Sequence, residues 1–112
     1  MNFTERLRAS QKAQHSLVCV GLDPDPRKIP QFLLQNENPV AEFNRRIVES
    51  TQDLVCAYKL NLAFYEAMGE KGWQALRATL ALIPKSVITI ADGKRGDIGN
   101  SSEMYARSIL ED

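Results

Sequence analysis

Three short apolar runs alternate with longer amphipathic segments along the chain, and this alternation constrains the fold more than any other feature. A continuous apolar run is typical of a strand that is buried on both faces, as in a parallel sheet. One helix followed by three strand–helix pairs therefore predicts an α/β fold with parallel strands and right-handed crossovers. The predicted strands are residues 17–22, 54–60 and 86–91, and the predicted helices are 2–14, a segment that starts at Pro39, 62–69, 70–83 and 101–111.

Two architectures contain such a sheet, and the first strand end distinguishes them. A doubly wound sheet normally carries a Gly-rich phosphate loop there, whereas this chain has Gly21-Leu22-Asp23-Pro24. A (β/α)8 TIM barrel fits better, because polar residues end every predicted strand: Asp23, Lys59, and Asp92 with Lys94. A full barrel needs roughly 250 residues. We therefore expect residues 1–112 to be the N-terminal part of one truncated barrel domain, with its first three β/α units.

Local signals also place several helix ends. Asn2 with Glu5 three residues later predicts a capping box, and Pro39 suits the first turn of a helix. Asn100 and Ser101 are the predicted N-caps of the last helix. In the helix before it, the spacing places four bulky residues on one face: Trp73, Leu76, Leu80 and Ile83.

Composition excludes several function classes. The formal net charge is zero, which favours neither a nucleic-acid partner nor an anionic membrane. No apolar run approaches the roughly 20 residues of a membrane span, and residues 1–8 lack the apolar core of a signal peptide. Cys19 and Cys56 fit no metal-ligand spacing, and strand alternation would place Cys19 inside the barrel and Cys56 outside. We therefore expect two reduced, buried cysteines in a cytoplasmic protein.

The third strand leads into a charged, Gly-punctuated loop, residues 92–100. If the strand continued, Asp92 and Lys94 would point to the same face, and Asp97 follows after Gly93 and Gly96 have relaxed the backbone. The carboxyl ends of parallel barrel strands are where active sites form. The spacing predicts a catalytic site, although a solvated charged turn has the same pattern.

Three motifs together resemble orotidine 5'-phosphate decarboxylase. Residues 92–100, Asp-Gly-Lys-Arg-Gly-Asp-Ile-Gly-Asn, match that family's D-x-K-x-x-D signature, while 20–24 and 58–61 resemble its first and second strand ends. The Asp-Pro-Asp-Pro loop is most similar to the longer bacterial branch of the family. Metal-dependent sugar-phosphate lyases of the same superfamily share D-x-K-x-x-D but generally lack a Lys at the second strand end, so Lys59 favours the decarboxylase.

The resemblance implies decarboxylation of orotidine 5'-phosphate to uridine 5'-phosphate, a step of de novo pyrimidine biosynthesis, with no metal or organic cofactor. Lys59, Asp92, Lys94 and Asp97 match the family's catalytic tetrad, with Lys94 as the proton donor to C6 of the pyrimidine. By the same match, Asp97 reaches the neighbouring subunit's site, which implies a homodimer.

The resemblance also implies a substrate-binding set. Asp23 and Lys59 match positions that hold the ribose hydroxyls, Asn61 belongs to the second-strand motif, and Ser101 stands where the family often has Thr. The phosphate-binding residues come from later barrel loops. We therefore expect the isolated 112 residues to be inactive.

Two other functions stay open at this point. One is a metal-dependent sugar-phosphate lyase. The other is a non-catalytic half-barrel whose unpaired strand edges mediate assembly.

Overall fold

The predicted strands form one parallel sheet in the computed structural model, which describes residues 1–111. β2 lies in the middle and pairs with β1 on one side and β3 on the other. The register places Gly21 beside Lys59 and Asn61 beside Asp92, so the carboxyl ends of all three strands meet at one edge. The strands are β1 (Cys19–Gly21), β2 (Ala57–Asn61) and β3 (Ile88–Asp92).

Helices occupy the segments in which helical spacing predicts them. The capping box of the first helix is confirmed: the Asn2 side chain accepts from Glu5 N, and Glu5 Oε2 accepts from Asn2 N, each at 2.9 Å. Pro39 begins the second helix, and Asn38 caps it by accepting from Ala41 N at 3.2 Å. The helices are α1 (Phe3–Gln14), α2 (Pro39–Thr51), α3 (Leu62–Glu66), α4 (Glu70–Leu82) and α5 (Gly99–Leu110), with a 3₁₀ turn at Gln31–Gln35.

The two faces of the sheet differ. Tyr58 of β2 points to the helices, since its hydroxyl lies 2.7 Å from that of Thr51 in α2. Strand alternation then directs Lys59 to the opposite face, which we call the open face. The core lies on the helix face and is built from apolar residues of β2 and its neighbours: Leu22, Val40, Val48, Val55, Tyr58, Leu60, Leu62, Tyr65, Ala75, Leu76, Ile83 and Val87.

A buried polar cluster crosses this core. Asn44 Nδ2 donates to the Tyr65 hydroxyl and to Thr79 Oγ1, each at 3.0 Å. Tyr65 in turn donates to the Leu22 carbonyl at 2.8 Å. The cluster thereby joins α2, α3 and α4 to the end of β1, one residue before Asp23.

Only two of the four bulky residues that share one face of α4 are buried. Leu76 and Ile83 are buried, but Trp73 and Leu80 are 40% and 42% exposed. The helix turns Gly72 toward α3 instead, where a Cβ on Gly72 would lie 1.8 Å from the Tyr65 carbonyl oxygen. The close approach of two helices, rather than side-chain bulk, sets which face of α4 is buried.

The start of α5 also differs from its prediction. The helix begins at Gly99, and Ile98 is its N-cap residue with no side-chain hydrogen bond. Asn100 and Ser101 therefore lie inside the first turn and do not cap it.

The two cysteines are free thiols, but the expectation that both are buried is wrong for Cys19. Cys56 is buried, whereas Cys19 lies on the edge strand β1 and is exposed. Cys19 is the register partner of Ala57 and shares the open face with Lys59. Cys56 lies just before β2 and packs in a small cluster with Ala57 and with Leu7 of α1. Its placement outside the barrel stays a prediction. Within residues 1–111, no helix has the length and apolarity needed to cross a membrane.

Candidate functional site

Five of the predicted site residues lie together at the carboxyl edge of the sheet. Asp23 follows β1, Lys59 and Asn61 belong to β2, and Asp92 and Lys94 end and follow β3. Lys59 and Asp92 come from neighbouring strands offset by two residues, because the register partner of Lys59 is Ile90. Two ammonium groups and two carboxylates are thus concentrated at one edge.

Asp92 is the centre of a charged triad, the name used below for Lys59, Asp92 and Lys94. Lys94 Nζ donates to Asp92 Oδ2, and Lys59 Nζ lies 3.9 Å from the same oxygen. The Asp92 side chain is only 19% exposed. The hydrogen bond from Lys94 lowers the pKa of Asp92 below its ordinary value, with help from the charges of both lysines and against partial burial. Asp92 is therefore held ionised between two cations.

Lys94 reaches Asp92 through a turn rather than through strand alternation. β3 ends at Asp92, so the pleat does not extend to Lys94 as the sequence pattern suggests. Lys94 instead has a φ of 47°, in the left-handed region that non-glycine residues rarely occupy. Such a conformation persists where the surrounding contacts hold it, and it is often found at functional sites.

Asp23 and Asn61 are connected across β1 and β2. The backbone N–H of Asn61 donates to Asp23 Oδ1 at 3.2 Å. The Asn61 side-chain oxygen accepts from Ala63 N at 3.1 Å and so caps α3. Asp23 is itself exposed. One carboxylate oxygen is thereby fixed at the same edge of the sheet as the triad.

Asp97 and Ser101 lie apart from this group. Asp97 Oδ1 accepts from Ile98 N at 2.8 Å, and within residues 1–111 it forms no ion pair with Lys59 or Lys94. Ser101 is exposed in the first turn of α5.

Sequence reasoning missed Arg95, which lies next to the triad. Its guanidinium forms an ion pair with Glu66, the last residue of α3. The position of Glu66 could have been inferred from the order of elements, because it ends a helix that begins at the carboxyl edge of β2 and so lies near the loop after β3.

Comparisons with known proteins agree on one family. The model of the Orotidine 5'-phosphate decarboxylase / HUMPS family matches residues 16–112. The chain is 52% identical over 112 residues to orotidine 5'-phosphate decarboxylase of Dehalococcoides mccartyi, covering 100% of this chain and 40% of the relative. It is 49% identical to the enzyme of Flavobacterium johnsoniae, covering 97% of this chain and 41% of the relative. The chain thus spans about 40% of the length of the curated relatives it matches.

Solved structures give the same result. A crystal structure from Toxoplasma gondii, assigned as an orotidine-monophosphate-decarboxylase, is 41% identical with a TM-score of 0.87, over 98% of this chain and 38% of that one. OMP decarboxylase of Leishmania donovani is 33% identical with a TM-score of 0.76, over 96% of this chain and 39% of that one. The prediction of an α/β barrel fold, represented by its first units, is confirmed.

Proposed function

This chain belongs to the Orotidine 5'-phosphate decarboxylase / HUMPS family, and we propose that the full-length protein converts orotidine 5'-phosphate to uridine 5'-phosphate. Residues 1–112 form the N-terminal part of its single barrel domain in this proposal. The observation that carries it is the charged triad at the carboxyl edge of the sheet, where barrel enzymes place their chemistry.

The chemistry requires such a triad. The bond between C6 and the carboxylate carbon breaks, carbon dioxide leaves, and the electron pair stays on C6 as a carbanion. In our proposal the Lys94 ammonium lies beside C6, stabilises the developing charge and then transfers a proton to form the C6–H bond. Lysine suits this role because it is a compact charge that can also give up a proton.

Asp92 and Lys59 keep the proton donor in place. The carboxylate of Asp92 accepts from Lys94 Nζ, and the attraction between the two opposite charges holds the ammonium group beside the carboxylate. Lys59 Nζ lies 3.9 Å from the same carboxylate oxygen and so helps to hold Asp92 in position. We assign the ribose hydroxyls to Asp23, Lys59 and Asn61, with Ser101 as a further contact.

The direct test is an assay of the full-length protein with orotidine 5'-phosphate, with and without a chelator. We expect turnover that the chelator does not reduce. Magnesium-dependent cleavage of a sugar phosphate, with no turnover of orotidine 5'-phosphate, would identify a lyase instead. Mass measurement and assay of the isolated 112 residues test the alternative of an assembling half-barrel. That alternative requires that the isolated residues form oligomers and that the full-length protein shows no activity.

We further propose a homodimer in which Asp97 serves the partner's site. Its support is the position of Asp97 on an exposed loop, outside the charged triad. Lys59→Ala and Asp97→Ala subunits, each nearly inactive alone, are mixed at equal concentration. Random exchange makes about half of the dimers mixed, and each then has one intact site, so about a quarter of wild-type activity returns. No recovery, with exchange confirmed by mass, would contradict the shared site.

The cytoplasm is the proposed location, because both cysteines are free and one of them is exposed. Cell fractionation checks it, and recovery outside the cytosolic fraction would contradict it.

A further inference from the structure

Arg95 follows Lys94 directly, but its side chain turns away from the charged triad toward two helices. Nη2 pairs with Glu66 of α3, and Nη1 donates to the Gly93 carbonyl at 3.1 Å. Cζ lies 5.4 Å from the ring centroid of Tyr105 in α5, a cation–π distance. One side chain thus joins the loop after β3 to both of the helices that flank it.

These contacts argue against Arg95 as a substrate ligand. Its positive charge is already paired with Glu66, and two of its nitrogens are used. The side chain is only 22% exposed. A substrate phosphate would have to displace the Glu66 carboxylate to reach it. The contacts of Arg95 are internal to the protein.

The internal contacts hold both sides of Lys94. The Gly93 carbonyl belongs to the peptide group before Lys94, and the Arg95 backbone lies after it, so Arg95 fixes the chain on either side. Between these two points Lys94 has its left-handed φ of 47°. Ile109 of α5 and Leu62 of α3 also flank Gly93, near enough that a Cβ there would lie 3.5 and 3.7 Å from them.

We propose that Arg95, held by Glu66 and Tyr105, is a positioning residue that keeps Lys94 in the conformation in which its ammonium group donates to Asp92. We call Arg95, Glu66 and Tyr105 together the Arg95 clasp. Its catalytic consequence rests on the proposed function, in which Lys94 is the proton donor. The clasp itself does not depend on that reaction.

The first test uses steady-state kinetics of the full-length protein with Glu66→Gln, which keeps the shape of the side chain and removes its charge. A misplaced Lys94 weakens the transition state more than substrate binding, so kcat should fall about 10- to 100-fold while KM stays within about twofold. Glu103→Gln is the matched control, because Glu103 is an exposed glutamate of α5 that forms no ion pair in residues 1–111. It should change neither constant.

Charge reversal adds a rescue. Arg95→Glu alone should lose at least as much kcat as Glu66→Gln, and combining it with Glu66→Arg should recover about tenfold. Lack of recovery, in a double variant that is folded, would overturn the pairing. Tyr105→Ala should also lower kcat, because it removes the contact of Arg95 with α5.

Limited trypsin digestion tests the clasp without activity, because the bonds after Lys94 and Arg95 are both tryptic sites. Glu66→Gln should be cut there several-fold faster than wild type, since local opening is easier once the ion pair is lost. Equal cutting would overturn the clasp, and faster cutting with an unchanged kcat would overturn its positioning role. If wild type fails to turn over orotidine 5'-phosphate, the proposed function fails while the digestion still decides whether the clasp exists.

Discussion

The two halves of the candidate site rest on different kinds of support. Asp23 and Lys59 adjoin residues of the core, because Leu22 and Leu60 beside them are each 2% exposed. On the other side, α5 after Asp97 has no buried residue, and Ile98 is 85% exposed. One half is fixed by packing and the other by a few polar contacts.

The difference teaches how each half can be changed. Packing positions the strand ends, so substitutions distant from the site should move Asp23 or Lys59 only by disturbing the core. The loop that carries Lys94 is held by Asp92 and by the Arg95 clasp. Single polar substitutions should therefore alter the loop half without lowering global stability.

Lys94→Ala in the full-length protein should have the largest effect, and on activity alone. It removes both the proposed proton donor and the charge opposite the carbanion, so kcat should fall by at least about 100- to 1000-fold. Thermal stability should change little, because the Lys94 side chain is 69% exposed. Lys85→Ala, at another exposed lysine, is the control for both measurements. Near-normal turnover of Lys94→Ala would show that the donor is misassigned.

Two variants that each add one methyl group compare the two regions: Gly72→Ala in α4 and Gly96→Ala in the loop after β3. In α4 the new Cβ would lie 1.8 Å from the backbone oxygen of Tyr65, which cannot move as a side chain end can. Overpacking of this kind costs about 1–3 kcal/mol. At Gly96 no atom of residues 1–111 outside the adjoining residues lies within 4 Å of the Cβ position. Urea unfolding should show the loss only for Gly72→Ala, and equal stability of the two variants would contradict the contrast.

Much of the packed half is predictable from the sequence for a physical reason. Apolar runs locate the three strands, although helices bury one face of the sheet rather than both, and the polar residue at the end of each run locates the carboxyl edge. Asp23, Lys59 and Asp92 are found in this way. The juxtaposition of Lys94 with Asp92 is also predicted, but for the wrong reason, since a left-handed turn produces it.

What the sequence does not reveal depends on contacts between distant residues. Asn44 lies between Val40 and Val48 in the buried stripe of α2, and its partners are 21 and 35 residues away. Trp73 is exposed because α3 approaches α4 at Gly72. Periodicity assumes that bulky residues face the core, and it cannot detect a close approach of two backbones or a polar group that is satisfied from another helix.

Tyr65→Phe should have the smallest effect, and it tests whether the buried polar cluster contributes to the packed half. The change leaves the Leu22 carbonyl and one Asn44 N–H without their partner, which costs about 1–2 kcal/mol in urea unfolding at neutral pH. Tyr105→Phe, at a tyrosine that is 41% exposed, should cost almost nothing. If Tyr65→Phe loses as little stability as Tyr105→Phe, the cluster contributes nothing to the free energy of unfolding.

The same hydroxyl predicts a distinct alkaline dependence. Burial raises the pKa of Tyr65 to about 12, whereas a tyrosine in the unfolded chain titrates near 10. Because the pKa of Tyr65 is higher in the folded protein than in the unfolded chain, the neutral hydroxyl contributes to the free energy of unfolding. This contribution is fully present below about pH 10 and is lost as the pH rises toward 12. Wild type should therefore lose stability more steeply than Tyr65→Phe between about pH 10 and 11.5. Other tyrosines, including Tyr58 with its own raised pKa, are common to both proteins and cancel in the difference. Parallel pH dependences would show that the Tyr65 hydroxyl ionises as easily in the folded protein as in the unfolded chain, and so is not buried against Leu22.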